Sequence, residues 1–121
     1  GARADFKDKL EKAKSIKGAR FIHLFASCPT GWRHAPELSL EVARQAIRSR
    51  IFPLYEVFDG DTWKLSPMPD KEDVGDYLKN QGRFKKMSLN EHQRFQQQVD
   101  DDWQRLLNRC QPAVGSQMNA A

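Results

Sequence analysis

A chain of 121 residues is long enough for one small domain or for part of a larger one. Hydrophobic residues make up 39% and charged residues 30%, a balance typical of a folded globular chain and not of a disordered one. The net charge is +4, but acidic and basic residues are interspersed, and the sequence has no basic stripe interleaved with exposed aromatics. Nucleic-acid binding is therefore not predicted. No apolar run approaches the ~20 residues that a membrane-spanning helix needs, so no membrane contact is predicted.

The cysteine content and the first residues bear on the compartment. Cys28 and Cys110 are too few for a disulfide framework, and residues 1–12 lack the apolar centre of a signal peptide. We therefore expect a reducing, cytoplasmic location. The apolar residues are concentrated in two short blocks, which predicts a thin core that needs additional partner surface.

The first half of the chain predicts one strand–helix–strand unit. An amphipathic helix is predicted at Asp5–Ile16, with Asp5 as its cap and Gly18 after its end. The run Arg20–Ala26 is apolar on both faces, as a strand buried in a parallel sheet is. A helix at Leu38–Arg50 follows, and its predicted inward residues are Leu40, Ala43 and Ile47.

A second strand, Pro53–Phe58, would complete a βαβ unit in which both strands are parallel and adjacent, with a right-handed crossover. Asp59-Gly60 is a strong hairpin signal, and Thr62–Leu65 is predicted as the returning strand.

The second half of the chain is predicted to be helical. Asp70 is placed to cap a short helix that Gly82 ends, and Ser88 with Glu91 forms a capping-box pattern that opens a helix to about Arg109. The apolar stripe predicted on that long helix consists of Phe95, Val99, Trp103 and Leu106.

Cys28 is the candidate functional residue by its position. It follows the first predicted strand in the sequence Ala-Ser-Cys-Pro-Thr-Gly-Trp, and ligands of open α/β sheets bind beyond the carboxyl ends of strands. Pro29 fixes its φ, Gly31 permits unusual backbone angles, and Trp32 can exclude water. From spacing alone, an inert cysteine is about as well supported as a functional one.

The run Phe21–Arg33 resembles a segment of the β subunits of pyruvate:ferredoxin oxidoreductases, and more broadly of the 2-oxoacid:acceptor oxidoreductases that use thiamine diphosphate. The resemblance continues through Pro36–Arg44, Phe52–Val57 and Tyr77–Lys85, and weakly around Trp103. In the family these segments close the β subunit, so the chain resembles its carboxy-terminal part.

The resemblance implies an α/β fold. Residues 1–66 would be the last βαβ unit of a doubly wound thiamine-diphosphate-binding domain together with a hairpin. Residues 67–110 would form a helical carboxy-terminal extension, and residues 111–121 a disordered tail. Arg83 and Phe84 are expected to pack this extension onto the rest of the subunit.

The resemblance also implies a function. Family members oxidatively decarboxylate a 2-oxoacid, here expected to be pyruvate, to acyl-CoA, and pass electrons through a [4Fe–4S] cluster to ferredoxin. Cys28 matches one of four cluster ligands. The other three ligands and the segment that binds thiamine diphosphate and Mg²⁺ lie upstream in the family. This chain is therefore expected to be inactive alone and to need the remainder of the β subunit, the other subunits, ferredoxin, CoA and a 2-oxoacid.

Other interpretations stay open from the sequence. Ser27 replaces a proline common in the family and could donate a hydrogen bond toward a cluster sulfur or be neutral. His23 is predicted to be a hydrogen-bonded core residue, His34 to lie beside the cluster or in solvent, and His92 to be solvated. The chain could instead be a non-catalytic assembly module. It could also be a hydrolase with Cys28 as nucleophile, for which only His34 is close in sequence.

Overall fold

The computed structural model describes residues 2–111, which form a mixed helix–strand structure. Its α-helices are α1 (Ala2–Ser15), α2 (Pro29–Trp32), α3 (Ser39–Arg48), α4 (Val74–Lys79) and α5 (Leu89–Cys110). Its strands are β1 (Tyr55–Phe58) and β2 (Thr62–Leu65), and 3₁₀ turns lie at Pro36–Leu38 and Gly82–Phe84. No helix within residues 2–111 combines the length and the apolar character that crossing a membrane requires.

The core lies where α3, α4 and α5 pack together. Its buried hydrophobic side chains are Val42, Ala46, Val74, Tyr77, Leu78 and Val99. Phe25, Trp32 and Phe84 pack against this cluster from the segments that flank α2 and α4. The core therefore extends toward the turn that carries Cys28.

The predicted strand at Arg20–Ala26 is wrong for this structure. Residues 21–26 lie in no helix or strand, and Phe21 is 90% and Leu24 61% exposed. A strand needs a neighbour to satisfy its backbone groups, and in the described residues β1 pairs with β2 instead. The parallel pairing with Pro53–Val57, and with it the βαβ unit, is therefore not formed within residues 2–111. The mixture of helices and a small sheet is consistent with the broader α/β prediction.

The predicted hairpin is confirmed. β1 and β2 are antiparallel, with Tyr55 opposite Leu65 and Phe58 opposite Thr62. The connecting residues Asp59 and Gly60 have φ of 52° and 80°, the left-handed values that a two-residue hairpin turn requires.

The first helix is confirmed, but Asp5 is not its cap. Because α1 begins at Ala2, Asp5 lies in its first turn and accepts a hydrogen bond from Lys9 Nζ at 2.8 Å. Gly18 follows the end of the helix with a φ of 120°.

The helix predicted at Leu38–Arg50 is present as α3, but its most buried face differs from the predicted one, on which Ala43 and Ile47 are half-buried. The buried residues of α3 are Val42, Gln45 and Ala46, whereas Leu40 is 71% exposed. The apolar spacing was compatible with more than one face. The polar Gln45 lies on the buried one, where its Oε1 accepts from Asn80 Nδ2 at 3.4 Å.

The helical second half is confirmed with one correction. α4 is capped by Asp73, whose Oδ1 accepts from the Gly75 amide at 2.7 Å, and not by Asp70. The Ser88–Glu91 capping box opens α5 as predicted. On the predicted stripe of α5, Val99 and Leu106 are buried, and Phe95 and Trp103 are half-buried. The division of the chain at residue 66 stays a prediction. The predicted tail of residues 111–121 lies, from residue 112 onward, outside the described residues.

Candidate functional site around Cys28

Cys28 is the N-terminal capping residue of the single-turn helix α2. Its backbone is extended, with φ −114° and ψ 103°, and its carbonyl accepts from the Trp32 amide at 2.9 Å. The side chain is exposed and makes no capping hydrogen bond. The local fold thus directs an unpaired thiol toward solvent.

Pro29 and Gly31 shape the turn around this thiol. Pro29 is the first residue of α2, a position where proline lacks only an amide that the helix would leave unpaired. A methyl group at Gly31 would lie 3.5 Å from Cys28 Sγ, an ordinary contact distance that would nevertheless cover one side of the sulfur. With glycine, residue 31 places no side chain against the sulfur.

The turn ends at Arg33 and is fixed there by a distant segment. Arg33 adopts the left-handed conformation (φ 57°, ψ 52°), and its amide donates back to Pro29 O. Its carbonyl accepts from the Gly82 amide at 2.8 Å. The Cys28 turn is therefore joined to the 3₁₀ turn Gly82–Phe84, which follows α4.

Arg83 provides a second connection between these segments. Its guanidinium carbon lies 3.9 Å from the Trp32 ring centroid and 4.6 Å from that of Phe84. Nε donates to Gln81 Oε1 at 2.9 Å, and Nη2 donates to the Tyr77 hydroxyl at 3.0 Å. An arginine held over an aromatic ring and hydrogen-bonded at its edge has a defined orientation.

Gln81 supports this arrangement from the interior. It is 1% exposed, and its Nε2 donates to Tyr77 O at 2.6 Å. Because its Oε1 accepts from Arg83, both ends of this buried amide are hydrogen-bonded, as a buried polar group requires. Trp32 packs in turn edge-on against Phe25, with ring centroids 5.5 Å apart. Gln81 and Trp32 thus each connect the site to the core.

Within residues 2–111 no histidine forms a hydrogen bond with the Cys28 thiol. His34 is buried, its Nδ1 is 2.9 Å from Ala35 O, and its Nε2 has no hydrogen-bond partner within residues 2–111. His23 is exposed and lies edge-on against Phe52, so the prediction of a core histidine is wrong. His92 Nε2 lies 3.2 Å from Asp73 Oδ1 at the start of α4, far from α2 along the chain. The geometry of the described residues does not support a cysteine–histidine hydrolase.

The chain offers one thiol at this site. Within residues 2–111 no cluster of three or more histidine, cysteine, aspartate or glutamate side chains could hold a metal ion. Cys110 is the last residue of α5, on a different element from α2. An exposed thiol with an open side fits the role of a single ligand to a cluster whose remaining ligands come from elsewhere.

Sequence reasoning singled out Cys28 and the Tyr77–Lys85 block separately and missed that they meet. Arg83 was expected to pack the carboxy-terminal extension onto the rest of the subunit, and within this chain it packs on Trp32. The available signal was that both blocks carried the same family resemblance. Nothing in periodicity or spacing could show that they are in contact.

Comparison with known proteins places the chain in a family. It matches no protein-family model. It is 44% identical over 104 residues to the ketoisovalerate oxidoreductase subunit VorB of Pyrococcus furiosus, a match that covers 84% of this chain and 33% of that protein. The pyruvate synthase subunit PorB of Methanocaldococcus jannaschii is 38% identical over 98 residues, covering 80% of this chain and 33% of that protein. The chain belongs with the β subunits of 2-oxoacid:ferredoxin oxidoreductases.

The match covers only part of each relative. The PorB of Methanothermobacter marburgensis is 35% identical over 103 residues, which are 84% of this chain and 35% of that subunit. The chain thus spans about a third of the length of the curated relatives that it matches. These relatives are named for two different 2-oxoacids, so membership in the family does not select one substrate.

Proposed function

We propose that this chain is the segment of a 2-oxoacid:ferredoxin oxidoreductase β subunit that supplies Cys28 as one thiolate ligand of a [4Fe–4S] cluster. The observation that carries the proposal is the exposed, unpaired thiol of Cys28 on a turn that the family-like Gln81–Phe84 segment holds in place. The relatives are subunits of oxidoreductases, so a redox role for the turn is consistent with them.

The residues of this chain would bind and position, and the cofactors would supply the redox chemistry. Bound thiamine diphosphate and the cluster would supply decarboxylation of the 2-oxoacid and one-electron transfer to ferredoxin. Cys28 would hold an iron through its sulfur, Trp32 would exclude water from one side, and Gly31 would leave room beside the sulfur. Thiamine diphosphate, Mg²⁺ and the other three cluster ligands would be bound by regions of the subunit outside this chain.

The proposed substrate class is a 2-oxoacid that is converted to its acyl-CoA in the cytoplasm. Pyruvate and ketoisovalerate are the two members of this class named for the relatives. They differ in the size of the alkyl group. Activity of the assembled enzyme on the two acids, measured as ferredoxin reduction that depends on CoA, would select between them.

The exposed segment before Cys28 supports docking onto the rest of the enzyme. Phe21 is 90%, Leu24 61% and Ile22 42% exposed, and large apolar side chains are rarely exposed together without a partner. We propose that this segment is covered by the remainder of the β subunit. An assembly module without catalytic residues would share this surface, but docking alone would not require the thiol of Cys28.

The proposal is tested by the variant Cys28→Ser in the assembled oxidoreductase, handled without oxygen. A hydroxyl is a poor ligand beside three thiolates, so iron and sulfide per subunit should fall, and the paramagnetic resonance signal of the reduced cluster should weaken or vanish. Ferredoxin reduction should collapse with it. The matched control is Cys110→Ser, which removes the second thiol of the chain at the end of α5 and should leave all three measurements unchanged.

Full cluster occupancy with an unaltered signal in Cys28→Ser would reject the proposed ligand. If the complex also assembled normally and kept its activity, the inert-cysteine interpretation would replace it. Equal losses in Cys28→Ser and Cys110→Ser would indicate a general effect of thiol removal and would also count against Cys28 as a specific ligand.

A further inference from the structure

We infer that Arg83 is a positioning residue for Cys28: by stacking on Trp32 it holds the turn Cys28–Arg33 in the conformation that presents the thiol. The inference deepens the proposed function and rests on it for its catalytic meaning, but the positioning itself can be measured independently of cluster content.

The first step is that the turn has little structure of its own. α2 is a single helical turn of four residues with no fully buried side chain. A helix this short does not hold its conformation by backbone hydrogen bonds alone. The orientation of Cys28 must therefore depend on contacts made by the other residues of the turn.

The second step is that Trp32 transmits those contacts to Cys28. The Trp32 amide donates to the Cys28 carbonyl at 2.9 Å, so a shift of Trp32 changes the backbone at Cys28 directly. One face of the Trp32 ring is covered by Arg83, and its edge packs on Phe25. Arg83 is thus connected to Cys28 through the Trp32 ring and through the hydrogen bond from the Trp32 amide to the Cys28 carbonyl.

The third step is that Arg83 is itself oriented. Gln81 and Tyr77 each accept one of its N–H groups, and Phe84 lies below its guanidinium. Gln81 and Tyr77 are 1% and 3% exposed, so these acceptors belong to the core. Arg83 therefore transfers the rigidity of α4 to the turn. Lysine could keep the charge but not this combination of stacking and two directed hydrogen bonds.

The test is amide hydrogen exchange, followed by mass spectrometry with residue resolution, on the assembled oxidoreductase and on its variant Arg83→Met. Methionine keeps an unbranched side chain but loses the charge and the hydrogen bonds. The amides of Trp32 and His34, which close the turn on Cys28 and Pro29, should exchange about fivefold faster in the variant, as expected for the loss of one cation–π contact. The amides of Val99 and Leu106 in α5 should keep their wild-type exchange rates.

Two further variants make the comparison specific. Arg44→Met removes an exposed arginine of α3, whose ion-pair partner is Glu41, and should leave the Trp32 and His34 amides unchanged. Arg83→Lys should give faster exchange at both amides than wild type, because the stacked, doubly bonded fork is lost. It also serves as the test variant if Arg83→Met does not fold.

In the assembled oxidoreductase, Arg83→Met should retain a cluster with an altered paramagnetic resonance line shape. Unchanged exchange at Trp32 and His34 in both Arg83 variants would overturn the inference, as would acceleration at all amides including those of α5. If the turn amides accelerate but Cys28→Ser keeps its cluster, Arg83 positions the turn and the proposed ligand is wrong. If Cys28→Ser loses the cluster while the turn amides stay protected in the Arg83 variants, only the positioning role is wrong.

Discussion

The α-carbon of Gly82 lies so close to Arg33 that no side chain fits between them. A Cβ built on Gly82 would be 2.7 Å from the Arg33 Cβ and 3.0 Å from the Arg33 carbonyl oxygen, which accepts the Gly82 amide. The glycine is thus required by the approach of two backbones. The contact between the Cys28 turn and the segment after α4 depends on it.

Gly82→Ala should consequently destabilise the protein by about 1–3 kcal/mol, the usual cost of overpacking a close contact. The measurement is the midpoint of urea unfolding. Gly31→Ala is the matched control, because its Cβ would meet Cys28 Sγ at an ordinary 3.5 Å and alanine favours a helix. Equal urea midpoints for Gly82→Ala and wild type would show that the Cys28 turn and the Gly82–Phe84 turn can move apart without loss of stability.

Asp73 and Asp70 should differ sharply when replaced by alanine. Asp73 caps α4 by accepting from the Gly75 amide, so Asp73→Ala should lower the free energy of unfolding by about 1 kcal/mol. Asp70 is exposed and lies before the helix, so Asp70→Ala should stay within about 0.5 kcal/mol of wild type. The same urea titration measures both. The reverse order would restore Asp70 as the functional cap.

The capping box of α5 should make stability depend on pH. The Ser88 amide and the Ser88 hydroxyl both donate hydrogen bonds to the Glu91 carboxylate. These bonds, the amide bond contributing more, lower the pKa of that carboxyl below its ordinary value. A lowered folded-state pKa stabilises the protein above the unfolded-state pKa, and this contribution is lost as pH falls through the folded-state value. The urea midpoint of the wild-type protein should therefore be higher than that of Glu91→Ala at neutral pH. The difference between the two midpoints should become smaller below about pH 4.

Glu91→Gln is the control for that titration. It keeps a hydrogen-bond acceptor in the capping box but cannot ionise, so its gap to Glu91→Ala should not vary across the same pH range. A wild-type gap that is constant with pH would show that the Glu91 charge contributes nothing to the start of α5.

The exposed apolar side chains at Phe21 and Leu24 should cause the isolated chain to self-associate. Replacing both with serine should shift the sedimentation distribution toward monomer at the same concentration, because it removes neighbouring apolar surface. Leu89→Ser is the matched control, since Leu89 is 75% exposed on a separate element. A wild-type chain that sediments as a monomer at all concentrations would contradict both this prediction and the need for a partner surface.

The hairpin turn and the capping box were read correctly from the sequence, whereas two other helix caps and the contacts between distant segments were not. The Asp59-Gly60 hairpin and the Ser88–Glu91 capping box are each decided by a few neighbouring residues, so the sequence predicted them. Phe21–Ala26 has the composition of a buried strand, but composition supplies no hydrogen-bond partner. In residues 2–111 this segment has none of the pairing a strand needs.

For the candidate site, too, the local motif could be predicted and the contacts with distant residues could not. Cys28 could be found from its turn and from the family resemblance, but its surroundings could not. Leu40 and Val42 are both apolar, and only the packing of α4 decides that Val42 is buried. Likewise, nothing near Arg83 in the sequence indicates that it covers Trp32.

The link between Arg33 and Gly82 also sets an order for biosynthesis. A ribosome releases Cys28 well before it releases Gly82 and Arg83, so a nascent chain carries the thiol before it carries the segment that supports it. Loading of any metal at Cys28 during translation would meet an unshaped turn. Chains truncated just before Gln81 should accordingly lose the slow amide exchange at Trp32 that chains reaching the end of α5 possess.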